Sequence, residues 1–158
     1  MGAQSRAPLT AMNRYVKVVS CLLLVVGLQT ASLAAAVRDE PSDADWVSIR
    51  AVISSQLDAF KRDDADSAFS FASPGIRKQF RSAGEFMHMV RTGYRAVYRP
   101  GSVRFLEHFV LSGQAVQPLE IVTPDDSVVI AFYIMERQRD GNWKIAGCAL
   151  GSTSALSI

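Results

Sequence analysis

The chain predicts an α+β domain: N-terminal helices packed on a curved antiparallel sheet of about four strands, together cone-like. Three observations predict it. Trp46, Ile49, Ile53, Leu57 and Phe60 recur at steps of three, four, four and three, one apolar stripe at helical period. From Val103 onward the period changes to two. Asp140-Gly141 then supplies the strongest hairpin signal in the chain. Helices first and an antiparallel meander after them is the element order of an α+β fold.

The first helix is expected to be capped by Asp43 or Asp45, with Lys61-Arg62 at its C-terminal end, where the helix dipole favours cations. Asp63-Asp64-Ala65-Asp66 opens a second, short helix whose buried side is Ala65, Ala68, Phe69 and Ala72. Ser73-Pro74 is a cap followed by proline at the first helical position. Ser82 and Glu85 form a capping box that opens a fourth helix, with Phe86, Met89 and Val90 inward, and Arg99-Pro100-Gly101 ends the helical half. The first strand runs from Val103 to Leu111, with Val103, Phe105, Glu107, Phe109 and Leu111 on one face. Ser112-Gly113 is a turn, and Gln114 to Val122 a second strand in which Pro118 marks an edge or a bulge. After a turn at Pro124-Asp125-Asp126, residues 127–138 are apolar on both faces, as in a central strand. Residues 142–150 return, with Trp143 and Ile145 on one face.

The N-terminus has the form of an address. A polar, basic stretch precedes Val18 to Leu28, an apolar run of 11 residues, and Ser32-Leu33-Ala34-Ala35-Ala36 follows with small residues at the cleavage positions. Cleavage is expected after Ala36 or Ala34, and Met12 is an alternative start. A retained anchor is the weaker reading, because 11 residues are too few to cross about 30 Å of hydrocarbon. A lipoprotein signal at Cys21 is rejected, since that cysteine precedes most of the apolar run. The expected organisation is a signal peptide over 1–36, a mobile leader over 37–44, one domain over 45–150 and a tail over 151–158. An exported chain, periplasmic or secreted, with no stable membrane span after cleavage, is the expectation.

Of the 158 residues, 122 then remain, enough to bury about two-thirds of the unfolded surface. The formal charge of +2 is misleading, because Arg6, Arg14 and Lys17 leave with the signal and the rest is close to neutral. No nucleic-acid partner is expected. One cysteine, Cys148, stays behind, so no internal disulfide is expected. A buried, inert thiol is favoured over a reactive one or an intermolecular bridge.

Motifs for catalysis are missing: the chain has no phosphate loop, GxSxG elbow, HExxH or CxxC. Neither a metal site nor a cofactor is expected, and His88 is read as a partly buried helix residue. Glu107 interrupts an apolar strand face between Phe105 and Phe109. If that face lined the inside of a cone, desolvation would suit the carboxylate to general-base work. A half-solvated sheet face or an arginine salt bridge is the favoured explanation. Arg77 to Arg104 carries seven bases against Glu85 alone, with Arg91 and Arg95 one turn apart. This patch could receive an anion, although pairing with the acidic first helices is favoured. Tyr94 and Tyr98 frame Arg95 and precede Arg99; such rings suit a pocket mouth or ordinary packing. The candidate ligand-binding set is therefore Tyr94, Arg95, Tyr98, Arg99, Phe105, Glu107, Phe109 and Tyr133.

The segments VISSQLDAFKRDDADSAFSFA, FASPGIRKQF, FMHMVRTGYRAVYRP and MERQRDGNWKIAGCAL resemble a bacterial family defined as a domain of unknown function, number 4864. The resemblance covers about residues 45–150. It implies small exported or membrane-associated proteins with a cone-like α+β fold. By analogy of shape that is the nuclear-transport-factor-2-like or cystatin-like cone, often with a pocket at its open end. It implies no activity and offers no catalytic residues to carry over. The expected function is a binding or accessory module that holds a small apolar or anionic molecule in the cone. The alternatives are a homodimer through the sheet, motivated by the two-sided strand 127–138, and, ranked last, a proton-transfer or hydrolytic enzyme using Glu107.

Overall fold

Ser42 starts the first helix. Its hydroxyl accepts from the backbone N–H of Asp45, and the Asp45 carboxylate accepts from the Ser42 backbone N–H at 3.0 Å. This reciprocal box satisfies two donors that a helix start leaves free. The cap is thus Ser42, not Asp43 or Asp45, and the helix begins inside the expected leader. In the computed structural model, which describes residues 40–151, α1 spans Asp43–Lys61, α2 Ala65–Ser70, α3 Pro74–Arg77, α4 Ala83–Gly93 and α5 Arg95–Tyr98. The strands are β1 Ser102–Phe105, β2 Phe109–Leu111, β3 Gln114–Val122, β4 Val128–Arg137 and β5 Trp143–Gly151. The expected signal, and the tail beyond Gly151, lie outside the described residues. No described helix is long and apolar enough to cross a membrane.

The α+β expectation holds, with five strands in an unclosed antiparallel sheet. Its order is β1-β3-β4-β5, and β2 pairs with β3 beside β1. The extra strand comes from a break in the run expected to be continuous over 103–111. Phe105 pairs with Leu119 and Phe109 with Val116, so four steps on one strand face three on the other. Pro118 lies opposite the break. Its carbonyl accepts from the Leu106 backbone N–H, but proline has no N–H to return. The Gln117 side chain fills the gap, donating to the carbonyls of Leu106 and Pro118 at 2.8 and 2.9 Å. Pro118 therefore sits on an internal strand, opposite a bulge in the neighbouring β1–β2 run, rather than at an edge.

The α1 stripe is buried throughout: Trp46, Ile49, Ile53, Leu57 and Phe60 are at most 6% exposed. It packs with alternate residues of the sheet: Ala115, Leu119 and Ile121 of β3, and Ala131, Tyr133 and Met135 of β4. Period-two geometry sends Val116, Pro118, Ile130, Phe132 and Ile134 to the opposite face. Two polar contacts fix how α1 lies. Trp143 Nε1 donates to the Asp45 carboxylate at 2.9 Å, with the Arg137 guanidinium 3.5 Å from the same oxygen. At the other end, Asp64 and Asp63 donate their backbone N–H groups to Ala59 and Phe60, closing the helix with Asp63 at φ 58°.

The segment after α2 closes part of the free edge of β5. Ile145 donates its backbone N–H to the Phe71 carbonyl at 3.0 Å and accepts from Ser73 at 2.8 Å. Ser73 then caps α3, with Pro74 at the first helical position as expected. The expected fourth helix is two: α4 ends at Gly93, and Tyr94, at φ −129° and ψ 46°, separates it from α5.

Two predictions follow from the packing and the Asp45 contacts. Ile53→Ala lowers the unfolding free energy by about 2–5 kcal/mol in denaturant melts, whereas Val47→Ala, on the exposed side of α1, changes it by less than about 0.5 kcal/mol. Hydrogen bonds from Trp143, then Ser42, hold the Asp45 carboxyl down to about 2 from the usual 3.8. The folded state therefore gains stability from ionised Asp45 above pH 4 and loses it as pH falls toward 2. Urea melts across that window should show a steeper loss for the native chain than for Asp45→Asn.

Candidate functional site

A cavity of ≈ 240 Å³ lies between the helices and the inward face of the sheet. Gln56 and Phe60 of α1, Ile76 of α3, Phe86 and Val90 of α4, and Tyr94 between α4 and α5 form its helical walls. Tyr133, Ile145 and Cys148 form the sheet wall. The aromatic side is built from the helical capping pattern. Ser82 caps α4, its hydroxyl accepting from the Glu85 N–H, but the Glu85 carboxylate accepts from the Arg81 N–H and leaves the expected capping box half made. Phe86 faces inward, where its ring packs 5.2 Å from Phe69 and 5.5 Å from Phe80. Such tilted and edge-on pairs are favourable ring arrangements.

No lining residue is Asp, Glu, His, Lys or Arg. The Gln56 amide donates to the Ala68 carbonyl at 3.1 Å, which ties it to the end of α2. The Tyr133 hydroxyl is different. It is fully buried and, among the described residues, has no hydrogen-bond partner. Burial, then the neighbouring Cys148, pushes its ionisation well above the ordinary tyrosine range. Cys148 is opposite Tyr133 in the β4–β5 register. Although some of the residue's surface is exposed, the thiol sits among packed atoms, and desolvation pushes it up to about 12. Burial thus keeps the thiol in its neutral, weakly polar form.

The structure divides the sequence-derived set. Tyr94 and Tyr133 line this cavity. Arg95, Tyr98 and Arg99 line a separate cleft on the α5 side. Phe105 packs beneath the Arg50 guanidinium, 5.9 Å from its ring, at the margin of the core. Glu107 does not lie on an inward strand face: it falls in the bulge between β1 and β2 and its side chain is exposed. The bulge likewise leaves Phe109 39% exposed. The exposure agrees with the favoured half-solvated reading of Glu107 and leaves no support for the conditional desolvated base, because one extra residue removes the alternation that would have placed it inside. The favoured pairing of arginines with acids is present in part: Arg91 and Arg99 both reach Asp63, and Arg104 reaches Glu120. Among the described residues no three His, Cys, Asp or Glu side chains gather as a metal site requires.

Phe60, Phe86 and Cys148 were legible only as interior residues, and nothing in the sequence marked Gln56 as part of the wall. A cavity wall and a filled core share one apolar signature, and only the tyrosine hydroxyl and the thiol stood out chemically.

The sequence profile of the family described as Domain of unknown function (DUF4864) matches residues 42–158, and the chain belongs to that family. No curated protein and no solved structure matches the chain.

Tyr133→Phe should stabilise the ligand-free protein. It removes a buried hydroxyl that lacks a partner, a group that costs about 1–3 kcal/mol, and keeps the ring that fills the wall. A higher midpoint in urea melts is the expected result, and a lower one would mean that the hydroxyl is satisfied in solution.

Proposed function

We propose that this member of the domain of unknown function 4864 family is a binding module. It holds one small, neutral, mostly apolar molecule in the cavity between its helices and its sheet. The observation that carries the reading is the orphaned Tyr133 hydroxyl in a mostly apolar wall whose other polar side chains, Gln56, Gln79 and Tyr94, are uncharged. Buried polar groups in native proteins are almost always partnered. A buried hydroxyl on a residue that lines a cavity is a donor in want of an acceptor, and a ligand carbonyl or ether oxygen that displaced the packing over it would supply one.

The size suits such a molecule. At ≈ 240 Å³ the space exceeds the engineered apolar cavity of about 150 Å³ that takes benzene. The walls also select against charge. An anion would enter without a counter-charge among the lining residues, at a desolvation cost that hydrogen bonding to one tyrosine does not offset. The same composition favours binding over proton transfer, because no lining side chain is a carboxylate, an imidazole or an amine. Val18 to Leu28 with the small residues after it supports an exported setting for this activity.

Acetophenone and α-methylstyrene are nearly the same shape and differ in one acceptor oxygen. Both should raise the melting temperature, since a ligand that binds only the folded state stabilises it. Acetophenone should raise it more, and Tyr133→Phe should abolish the difference. Absence of a shift with either compound, or an undiminished preference in Tyr133→Phe, refutes the reading.

A further inference from the structure

The second cleft is chemically the opposite of the first. It has a volume of ≈ 660 Å³ and is lined by Arg91, Arg95, Ala96, Tyr98 and Arg99 on one side, facing Thr123-Pro124-Asp125 of the β3–β4 turn. The three arginines are four residues apart in sequence. The break at Tyr94 does not disperse them, and all three line the one wall.

Their bonding divides them by role. Arg99 is committed to the fold. It donates to the carbonyls of Phe60 and Lys61 at the end of α1, to the Asp63 carboxylate at 2.7 Å and to the Tyr98 hydroxyl at 3.2 Å. Arg91 spends one nitrogen on Asp63, at 2.8 Å, and lies against Tyr98, so it is only partly committed to the fold. Arg95 has no ion pair among the described residues and is exposed. The Tyr98 ring lies between Arg91 and Arg99, 5.5 and 4.5 Å from their guanidinium carbons, and its hydroxyl donates to Asp63. Asp63 thus orients one arginine rigidly and a second partly, without neutralising the third. The one acid facing the cleft, Asp125, accepts from the hydroxyls of Thr123 and Ser127 within its own turn. With Asp63 and Asp125 both counted against the three arginines, the cleft keeps an excess of one positive charge.

We propose that this cleft binds a phosphate monoester or free phosphate dianion, gripped by the guanidiniums of Arg91 and Arg95. Arginine forks match the oxygens of such a group in geometry and charge, and two forks lining one cleft call for a ligand with at least three acceptor oxygens. A carboxylate satisfies one fork only. The site is independent of the apolar cavity and of what that cavity holds.

The test is calorimetric titration of the chain with inorganic phosphate at low salt, at a pH above about 7 where phosphate is largely dianionic, with acetate as the monoanionic comparison. Phosphate should bind and acetate should bind more weakly. Arg95→Gln removes a side chain with no structural partner, so the protein should melt as before while phosphate affinity falls about tenfold. Arg139→Gln, an equal charge change on the exposed approach to the β4–β5 turn, should leave affinity unchanged. Retention on phosphatidylcholine vesicles only when phosphatidic acid is added would identify the source as a lipid head group, and phosphate binding without such retention a soluble one. The proposal is overturned by failure of both phosphate and phosphatidic acid to bind, by equal affinity for acetate, or by equal losses in the two variants.

Discussion

Burial of one stripe of α1 against alternate residues of β3 and β4 is the constraint that sets everything else. Ile49 and Ile53 from the helix, and Leu119, Ile121 and Ala131 from the sheet, lose all contact with water. Each fully buried large aliphatic side chain contributes about 1.5–3 kcal/mol. Several of them together outweigh one unpartnered hydroxyl, so the domain can hold Tyr133 in its interior. The same stripe fixes which face of β4 points inward, since a slip of one residue would send every inward side chain out. Tyr133 cannot reach water without carrying Ala131 and Met135 with it. The orphaned donor is a consequence of register.

Much of the architecture was legible because periodicity survives without tertiary context. The stripe from Trp46 to Phe60, the second strand from Gln114 to Val122 and the hairpin at Asp140-Gly141 all appear at the expected places. The break between β1 and β2 was not legible from its own residues. Val103 to Leu111 does alternate, but alternation says nothing of how many residues the partner strand sets opposite. The signal lay on that partner, at Pro118, and only the register shows that it faces Leu106 to His108. The division of the last helix had a local signal in Gly93, which ends α4 directly before Tyr94.

The functional residues were legible to the degree that their chemistry is unusual. Tyr94 and Tyr133 drew notice as rings with polar tips, and they share one cavity. Arg95, Tyr98 and Arg99 drew notice as a basic run, and they share another. Sequence reasoning merged the two because it had one imagined cone in which to place them. What separates them is the orientation of residues 94–99. Tyr94 and Val97 turn to the apolar side, and Arg95, Tyr98 and Arg99 to the charged one. Glu107 drew notice because a charged residue in an apolar alternation can be a buried acid, and the bulge turns it out to water, in keeping with the favoured half-solvated face.

The Phe71–Ser73 segment bears on how molecules of this kind avoid one another. An open sheet offers unpaired backbone at both borders, a template on which foreign strands can lengthen it into fibrils. Here one border consists of β1 and β2, only four and three residues long and interrupted between them. On the other, Ile145 has both its amide and its carbonyl taken by Phe71 and Ser73. Among the described residues, an intruding strand would be left little more than Cys148 to Gly151 on that side. Protection against amyloid-like growth is thus built from the same few residues that start α3.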